Sequence, residues 1–409
     1  MKKIFLLLFL FSFISVFSQD RNYALRLIKD LTSTEMQGRG YVNKGEKKAA
    51  KYIRKEFKNI GLKSFSKNYF QKFSFSINTF PEPIFVSVDG KKLMPGSDFL
   101  IECSSPAISG TYDIVWINNT EIEKEKYHDL SNKFIITNLK QKELANLDLP
   151  KYKGIIKLSE KKLYWHISNG RKQGDYVSLK IKTDAIPPEA KSIKISVQNQ
   201  FFTDYKTQNV IGYIEGKIHP DSFFVFTAHY DHLGRMGERI YFPGANDNAS
   251  GTAMITDLAR HYSLPENQPD YSIVFMAFSG EEVGLMGSTY NANHPLFNLE
   301  NIKFLINLDM VGSGSEGITV VNSSVFSKAY SSLVSINKNK NYLKQVKKRG
   351  ESCNSDHCPF YKKGVPSVFI YTMGNECSEY HTPDDKAENL PLTEYENLFR
   401  LLTDFILEF

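Results

Sequence analysis

The sequence is poor in cysteine and tryptophan, and it lacks internal repeats and low-complexity tracts beyond its first residues. Its 409 residues include four cysteines and two tryptophans. A disulfide-dense scaffold, a repeat protein and a disordered chain are therefore excluded. With 41% hydrophobic residues, the chain can bury at least one large core, and we expect it to fold as two units.

Charge of neither sign dominates the sequence. The formal net charge is +6, and lysines are interleaved with acidic residues along the chain. A nucleic-acid-binding surface would concentrate basic residues in a patch or stripe, so we do not expect nucleic acid as a partner. The sequence makes no prediction of an oligomeric state.

The N-terminus has the pattern of a secretory signal peptide. Lys2 and Lys3 precede an apolar stretch, and Val16 and Ser18 stand where cleavage before Gln19 requires small or apolar residues. The stretch is shorter than the roughly 20 residues that a membrane-spanning helix needs. We therefore predict a signal peptide over residues 1–18, a secreted or periplasmic mature protein, and no stable membrane insertion after signal removal. No cysteine that could carry a lipid follows closely.

The cysteines of a secreted chain meet an oxidising compartment. Cys353, Cys358 and Cys377 lie in one C-terminal region, whereas Cys103 is remote. We expect two of the three to form one local bridge, with the connectivity open. A cysteine-based zinc site is disfavoured because carboxylates and histidines are available.

The mature chain has three consecutive segments with different sequence patterns. Residues 19–75 are predicted to be the N-terminal part of the main domain. They are helical over 21–62, with Ala49, Ile53, Phe57 and Ile60 on one stripe and Gly61 as a stop signal. Residues 76–204 have short β-rich runs separated by turns, which predicts a small inserted β-rich domain. Nothing in this stretch suggests catalysis.

Residues 205–409 repeat a pattern of strand, loop and helix. Strands that alternate with helices predict an α/β fold with a mostly parallel sheet flanked by helices. The last helix is expected to have Thr393 as its N-cap, and its buried stripe is expected to contain Leu398, Leu401, Leu402 and Phe405.

Several apolar runs in this region end in residues that bind metals. His229 follows residues 223–228, Glu281 and Glu282 follow 272–278, Asp309 follows 303–308, and His381 lies in a loop after 366–371. Ligands bind outside the carboxyl ends of the strands in an open parallel sheet. We therefore expect these side chains to converge on a metal site.

The neighbours of these residues refine the prediction. Asp231 could accept the second ring N–H of His229 and fix its tautomer. Asp247, in a turn that opens a helix, is by itself typical of an N-cap, but its carboxylate could also bridge two cations. Glu281 and Glu282 diverge at a strand-to-helix turn, so that one can bind a metal while the other acts as a general base. Such nitrogen and oxygen ligands suit zinc and also admit manganese or cobalt.

Five ordered motifs between residues 205 and 409 resemble peptidase family M28, the co-catalytic zinc aminopeptidases. They are H-Y-D, N-D-N-A-S-G, G-E-E-V-G-L-M-G-S, N-L-D-M-V-G and Y-H-T-P-D-D. The resemblance implies a phosphorylase/hydrolase-like fold of the zinc-peptidase type and two zinc ions per chain. It also implies roles for matching residues: His229 and Asp309 on one zinc, Glu282 and His381 on the other, Asp247 bridging, Asp231 orienting His229, Glu281 as the general base, and Tyr380 stabilising the oxyanion.

The resemblance extends to two further regions. Asp356 and His357 match a segment beside the active site and are expected to shape the pocket, and Cys353 and Cys358 around them would suit a local disulfide. Residues 76–204 stand where many members carry a protease-associated domain, which they resemble only weakly.

These features together predict a secreted zinc-dependent exopeptidase that acts on peptide substrates, most simply as an aminopeptidase. A glutaminyl cyclase of the same fold, a carboxypeptidase and a non-catalytic binding ectodomain are the alternatives.

Overall fold

The computed structural model describes residues 20–121 and 127–408, so the predicted signal peptide lies outside the described residues. The α-helices of the described part are α1 Arg21–Thr32, α2 Gly45–Ile60, α3 Gln141–Ala145, α4 Gly251–Tyr262, α5 Met286–Asn293, α6 Ser327–Lys340, α7 His357–Tyr361 and α8 Tyr395–Glu408. None of them combines the length and apolarity that crossing a bilayer requires.

The strands form two large sheets and a small hairpin. In chain order they are β1 Phe70–Thr79, β2 Phe85–Val88, β3 Lys91–Lys92, β4 Phe99–Ile101, β5 Ile108–Trp116, β6 Leu130–Thr137, β7 Tyr152–Ser159, β8 Val177–Lys182, β9 Ser192–Val197, β10 Gln200–Ile214, β11 His219–His229, β12 Gly234–Met236, β13 Ile240–Phe242, β14 Tyr271–Phe278, β15 Ile302–Leu308, β16 Ile318–Val321, β17 Val346–Lys348 and β18 Ser367–Thr372.

The first sheet is mixed, with a parallel centre. Its order is β1-β10-β14-β11-β15-β18-β16-β17. The neighbours β14, β11, β15 and β18 all run parallel, whereas β1, β10 and β16 join antiparallel. The predicted α/β fold is confirmed, and the parallel centre places the carboxyl ends of four strands at one edge.

Both faces of this sheet are covered by helices, as the continuous apolar runs require. In β11, Phe224 and Phe226 pack with α1, α2, α4, α6 and α8, whereas Phe223 and Val225 point to the opposite face. Successive side chains of a strand alternate between faces. The second face is closed by residues from α5 and α7, among them Ala292 and Phe360.

The second sheet has the order β3-β2-β9-β5-β6-β7-β8-β4 and spans residues 85 to 197. This sheet contains the short β-rich runs of the predicted insert. The predicted boundaries at residues 76 and 204 fall inside β1 and β10, which belong to the first sheet. The two long strands thus carry the chain from one sheet to the other.

The predicted helices are present, with two differences at their ends. Helical residues 21–62 are two helices separated by short turns over residues 33–44, and α2 ends at Gly61, whose φ of 91° is left-handed. The final helix begins at Tyr395, so the prediction of Thr393 as its N-cap is wrong by one position. Its predicted buried stripe is fully buried.

Candidate metal centre

The metal-binding types of residue lie together at the carboxyl edge of the parallel strands. His229 is the last residue of β11, Asp309 follows β15 directly, and Glu282 lies in the turn after β14. Asp247 belongs to the turn before α4, and His381 lies in the loop beyond β18. All five side chains are buried, as expected for groups that face an enclosed site rather than solvent.

The side chain of Asp247 lies between the two histidines. One carboxylate oxygen, Oδ1, is 3.3 Å from His229 Nε2, and the other, Oδ2, is 3.1 Å from His381 Nε2. On one side, His229 Nε2 is also 3.3 Å from Asp309 Oδ1. On the other side, His381 Nε2 is 3.2 Å from Glu282 Oε2. The result is two groups of ligand atoms that share one carboxylate.

These distances fit zinc. Ligand atoms at about 2.0–2.1 Å from a tetrahedral zinc ion are about 3.3 Å from one another, and the four distances fall close to that value. His229, Asp247 and Asp309 form one buried cluster of potential ligands, and Asp247 and Glu282 belong to a second with His232. His232 was not predicted as a ligand.

The charges of the site are strongly coupled. Burial works against ionisation of Asp247, but the hydrogen bonds with His229 and His381 outweigh it and hold the pKa of Asp247 well below its ordinary value. Burial likewise opposes protonation of His381, but Glu282 and Asp247 raise the pKa of this imidazole to about 11. Carboxylates that attract a proton to a histidine so strongly would also attract a divalent cation, which displaces such protons when it binds.

Asp231 makes contacts that differ from the prediction. The Nδ1 atom of His229 lies 3.1 Å from the backbone oxygen of Asp231 and 3.9 Å from its carboxylate. The carboxylate instead accepts hydrogen bonds from the hydroxyl of Tyr41, at 2.8 Å, and from the backbone N–H of Glu281, at 3.1 Å. Asp231 is thus placed to fix the tautomer of His229 through its main chain and the position of Glu281 through its side chain.

Glu281 and Tyr380 border the pocket beside the ligands. Burial raises the pKa of Glu281 well above its ordinary value, and the neighbouring Glu282, Asp356 and Asp309 add to the effect. A raised pKa favours a carboxylate that takes up and returns protons near neutral pH. The ring of Tyr380 stacks on that of His381 at 3.8 Å between centroids, and 38% of the residue is exposed.

Several buried residues that the sequence did not single out hold the ligands in place. His232 Nδ1 lies 2.7 Å from Glu282 Oε1, and the hydroxyl of Ser355 donates to Asp309 Oδ2 at 2.8 Å. Asp385 accepts from the backbone N–H groups of Asn246 and Asp247 at 2.8 and 3.0 Å. Groups that orient ligands in this way usually affect metal affinity.

A buried arginine from the N-terminal segment supports the same loops. Arg39 is fully buried and donates to the backbone oxygens of Tyr230 at 2.7 Å and of Gly244 at 2.7 Å, next to the turn with Asp247. Burial lowers the pKa of Arg39 to about 10, although nearby carboxylates such as Asp385 oppose the change. The segment E-M-Q-G-R-G, residues 35–40, is the local signal that could have drawn attention to this residue.

The β-rich segment, in which the sequence suggests no catalytic residue, also contacts the site. The Nδ1–H of His381 donates to the backbone oxygen of Trp165 at 2.7 Å, and the N–H of Trp165 donates to the backbone oxygen of His381 at 3.1 Å. His166 lies next to this pair, with Nδ1 3.1 Å from His381 Nδ1. No signal in the strand-like sequence around Trp165 reveals this pairing across the chain.

The segment with Asp356 lies beside the ligands, as predicted. Asp356 and His357 are fully buried, and burial raises the pKa of Asp356 to about 7. Cys353 and Cys358 form a disulfide, which confirms a local bridge, and Cys103 and Cys377 are free.

Paired histidines and carboxylates at the carboxyl edge of an α/β sheet define a candidate metallohydrolase. Residues 209–406 match the model of peptidase family M28, and the chain belongs to this family, as its motifs predicted. Aminopeptidase YwaD of Bacillus subtilis (strain 168) is 32% identical over 222 residues, which are 51% of this chain and 46% of the relative. A probable zinc metalloprotease of Pyrenophora teres f. teres (strain 0-1) is 37% identical over 131 residues, 31% of this chain and 26% of the relative. The chain thus matches about half or less of the length of these curated relatives.

Solved structures share the whole fold. The zinc aminopeptidase BSAP from Bacillus subtilis superposes with a TM-score of 0.71 and 23% identity over 95% of this chain and 94% of that one. An aminopeptidase from Aneurinibacillus sp. strain AM-1 gives a TM-score of 0.67 and 21% identity over 96% and 94% of the two chains. Because the superposed part includes nearly the whole of this chain, both of its large sheets fall within the shared fold.

Proposed function

We propose that this protein is an exported aminopeptidase that uses two zinc ions to remove residues from the free N-terminus of peptides. The observation that carries the proposal is the shared carboxylate of Asp247, 3.3 Å from His229 on one side and 3.1 Å from His381 on the other. Two ligand groups joined by one carboxylate are typical of hydrolases with two metals about 3.5–4 Å apart. Homology to aminopeptidase YwaD supports the choice of an aminopeptidase.

In this proposal, His229 and Asp309 would hold one zinc ion, Glu282 and His381 would hold the other, and Asp247 would be a ligand shared by both. Bound zinc lowers the pKa of water and polarises a carbonyl oxygen. The chain's own residues then handle the protons and the developing charge.

Glu281 accepts a proton from the attacking water and later donates it to the leaving amine. Its position beside the ligands and its raised pKa support both steps. Asp231 holds the backbone of Glu281, and the hydroxyl of Tyr380, a residue that borders the same pocket, donates to the oxyanion that forms on the scissile carbonyl. Export is inferred from the signal-peptide pattern of residues 1–18.

The direct test is a mass-spectrometric digest by the zinc-loaded mature protein. The substrates are one peptide with a free N-terminus, the same peptide with an acetylated N-terminus, and a third peptide that begins with glutamine, and a chelator-treated sample is the control. Stepwise loss of N-terminal residues from unblocked peptides alone would support an aminopeptidase. Loss of ammonia confined to the glutaminyl peptide would assign a cyclase, trimming from the other end would assign a carboxypeptidase, and no change would favour a binding protein.

A further inference from the structure

The metal centre opens into a pocket that an arginine, Arg349, helps to line. The pocket has a volume of about 240 Å³ and is bordered by candidate ligands and Glu281. The rest of its wall includes Met310, Arg349, Asn354, Phe369 and Tyr371. Pockets for drug-sized ligands have volumes of about 300–1,000 Å³, so this smaller one is suited to a single amino-acid side chain.

Arg349 is held in this wall from both ends. Its backbone N–H, just beyond β17, donates to Ser323 Oγ at 2.9 Å and to the backbone oxygen of Val320 at 3.1 Å. Its guanidinium donates to the hydroxyl of Tyr371 at 3.2 Å, and Tyr371 belongs to β18 in the middle of the first sheet. The charged group is therefore positioned by the sheet rather than left on a free loop.

No carboxylate of the described residues forms a salt bridge with Arg349, although the side chain lies in an exposed position at the pocket. Among the described residues, the hydroxyl of Tyr371 is the acceptor of this guanidinium. A guanidinium presents several N–H donors in a planar fork that matches a carboxylate. Most of these donors therefore remain available.

We propose that Arg349 binds the side-chain carboxylate of an acidic first residue, which makes this enzyme selective for peptides that begin with glutamate or aspartate. The inference rests on the proposed aminopeptidase function. In an aminopeptidase the scissile carbonyl belongs to the first residue, and the pocket opens directly onto the ligands that would receive this carbonyl. The side chain of the first residue is therefore the group that enters the pocket and reaches Arg349.

The test compares four tripeptide amides, X-Ala-Ala-NH2, with Glu, Gln, Leu or Lys as X. The C-terminal amide leaves the glutamate side chain as the only carboxylate of the substrate, and Gln has the same shape without the charge. Arg349→Gln is the test variant. Lys348→Gln is its matched control, because it removes one positive charge from the neighbouring residue, whose ammonium lies over the ring of Tyr330 and not in the pocket wall.

We expect the unmodified enzyme to have a kcat/KM at least about 10-fold higher for the Glu than for the Gln peptide, because hydrogen bonds between charged groups account for about 10- to 100-fold in binding. Arg349→Gln should reduce this ratio to near one, and Lys348→Gln should keep both the ratio and the rate with the Leu peptide. Arg349→Glu should shift the preference to the Lys peptide.

Two results would overturn this inference but leave the proposed function intact. These are equal rates for the Glu and Gln peptides, or a Glu preference that survives in Arg349→Gln. A preference for Glu found only at the second position, in Ala-X-Ala-NH2 peptides, would overturn the assignment to the first residue. If the Leu peptide and the other three are all left intact by the zinc-loaded enzyme, the proposed function itself fails, and this inference fails with it.

Discussion

Glu281 and Glu282 are adjacent in sequence, but the structure gives them different partners. Glu282 lies 2.7 Å from His232 and 3.2 Å from His381, among the candidate ligands. The backbone N–H of Glu281 donates a hydrogen bond to the carboxylate of Asp231, and Glu281 lines the pocket. Glu282 is therefore suited to bind a metal and Glu281 to move protons.

Glu281→Gln should keep both zinc ions and lose most turnover. General acid–base catalysis contributes about 10²- to 10⁴-fold, so kcat should fall by about that factor. Metal analysis of the purified variant together with its kcat provides the measurement. Glu282→Gln is the matched control, because the same substitution at the adjacent residue should reduce the zinc content from two ions to one. A near-normal kcat for Glu281→Gln would contradict the assignment of the base.

Glu46 in α2 is a buried carboxylate away from the ligands, and it should make stability depend on pH. Burial raises its pKa to about 7, although a hydrogen bond from Tyr205 opposes the change. The unfolded chain has a lower pKa, so the folded state binds more protons between about pH 4.5 and 7. The contribution of this group is therefore fully present below that window and is lost as the pH rises through it.

Glu46→Gln should remove this dependence, because the amide stays neutral and can still accept from Tyr205. Relative to the unmodified protein, the variant should gain up to about 3 kcal/mol in the free energy of unfolding between pH 5 and pH 8. Urea unfolding at both values measures the difference. An equal difference between the two proteins at pH 5 and pH 8 would show that Glu46 is ionised in the folded state.

For individual residues, the sequence predicts which side chains lie close together but not which hydrogen bonds position them. His229, Asp309 and His381 could be found because each follows an apolar strand, and parallel strands place their carboxyl ends at one edge. The contact of Asp231 with Tyr41 depends on two segments far apart in the chain. No local pattern encodes such a pairing, which is why the carboxylate was assigned to His229 instead.

The same holds for helices and turns: local patterns can be predicted from the sequence, whereas contacts between distant segments cannot. Helix α2 could be predicted because its apolar period and Gly61 are local signals. The turns over residues 33–44 carry no such period, yet they place Arg39 against the backbone oxygens of the loops after β11 and before α4. This short connection joins the N-terminal helices to the metal centre.

Arg39→Met should destabilise the protein strongly, because it leaves several buried backbone oxygens without donors. Loss of such a network costs about 3–5 kcal/mol when a buried charged partner is removed. Arg21→Met is the matched control: Arg21 also donates to a backbone oxygen, that of Pro391, but it is exposed, and a surface change usually costs about 0.5 kcal/mol or less. Denaturant unfolding of both variants provides the comparison, and equal losses would contradict a supporting role for Arg39.

For the molecule as a whole, the second sheet is tied to the metal centre through one tryptophan. The indole N–H of Trp165 donates to the backbone oxygen of Ile101 in β4 at 2.7 Å, and its ring stacks on Phe242 at 4.8 Å. Its backbone meanwhile holds both the ring and the main chain of His381. Because the backbone oxygen of Trp165 accepts the Nδ1–H of His381, it favours the tautomer in which Nε2 is free to bind a metal.

Trp165→Ala should therefore weaken zinc at the His381 position and leave the His229 position intact. Trp165→Ala keeps the backbone oxygen that holds His381 but removes the side chain that fixes this backbone to Ile101 and Phe242. Loss of the orientation of a metal ligand reduces affinity by about 10- to 100-fold, so titration with a chromophoric chelator should reveal one tightly held zinc ion and one weakened by up to that factor. Trp116→Ala is the matched control, because Trp116, in β5 of the second sheet, also donates its indole N–H to a backbone oxygen, that of Ala190 at 2.9 Å, and lies outside the metal centre. Trp165→Phe keeps an aromatic ring against Phe242 and loses only the hydrogen bond to Ile101, so it should weaken zinc binding less. This variant keeps the prediction testable if Trp165→Ala misfolds. If both zinc ions stay equally tight in Trp165→Ala while the second sheet remains folded, the second sheet does not determine how this metal is held.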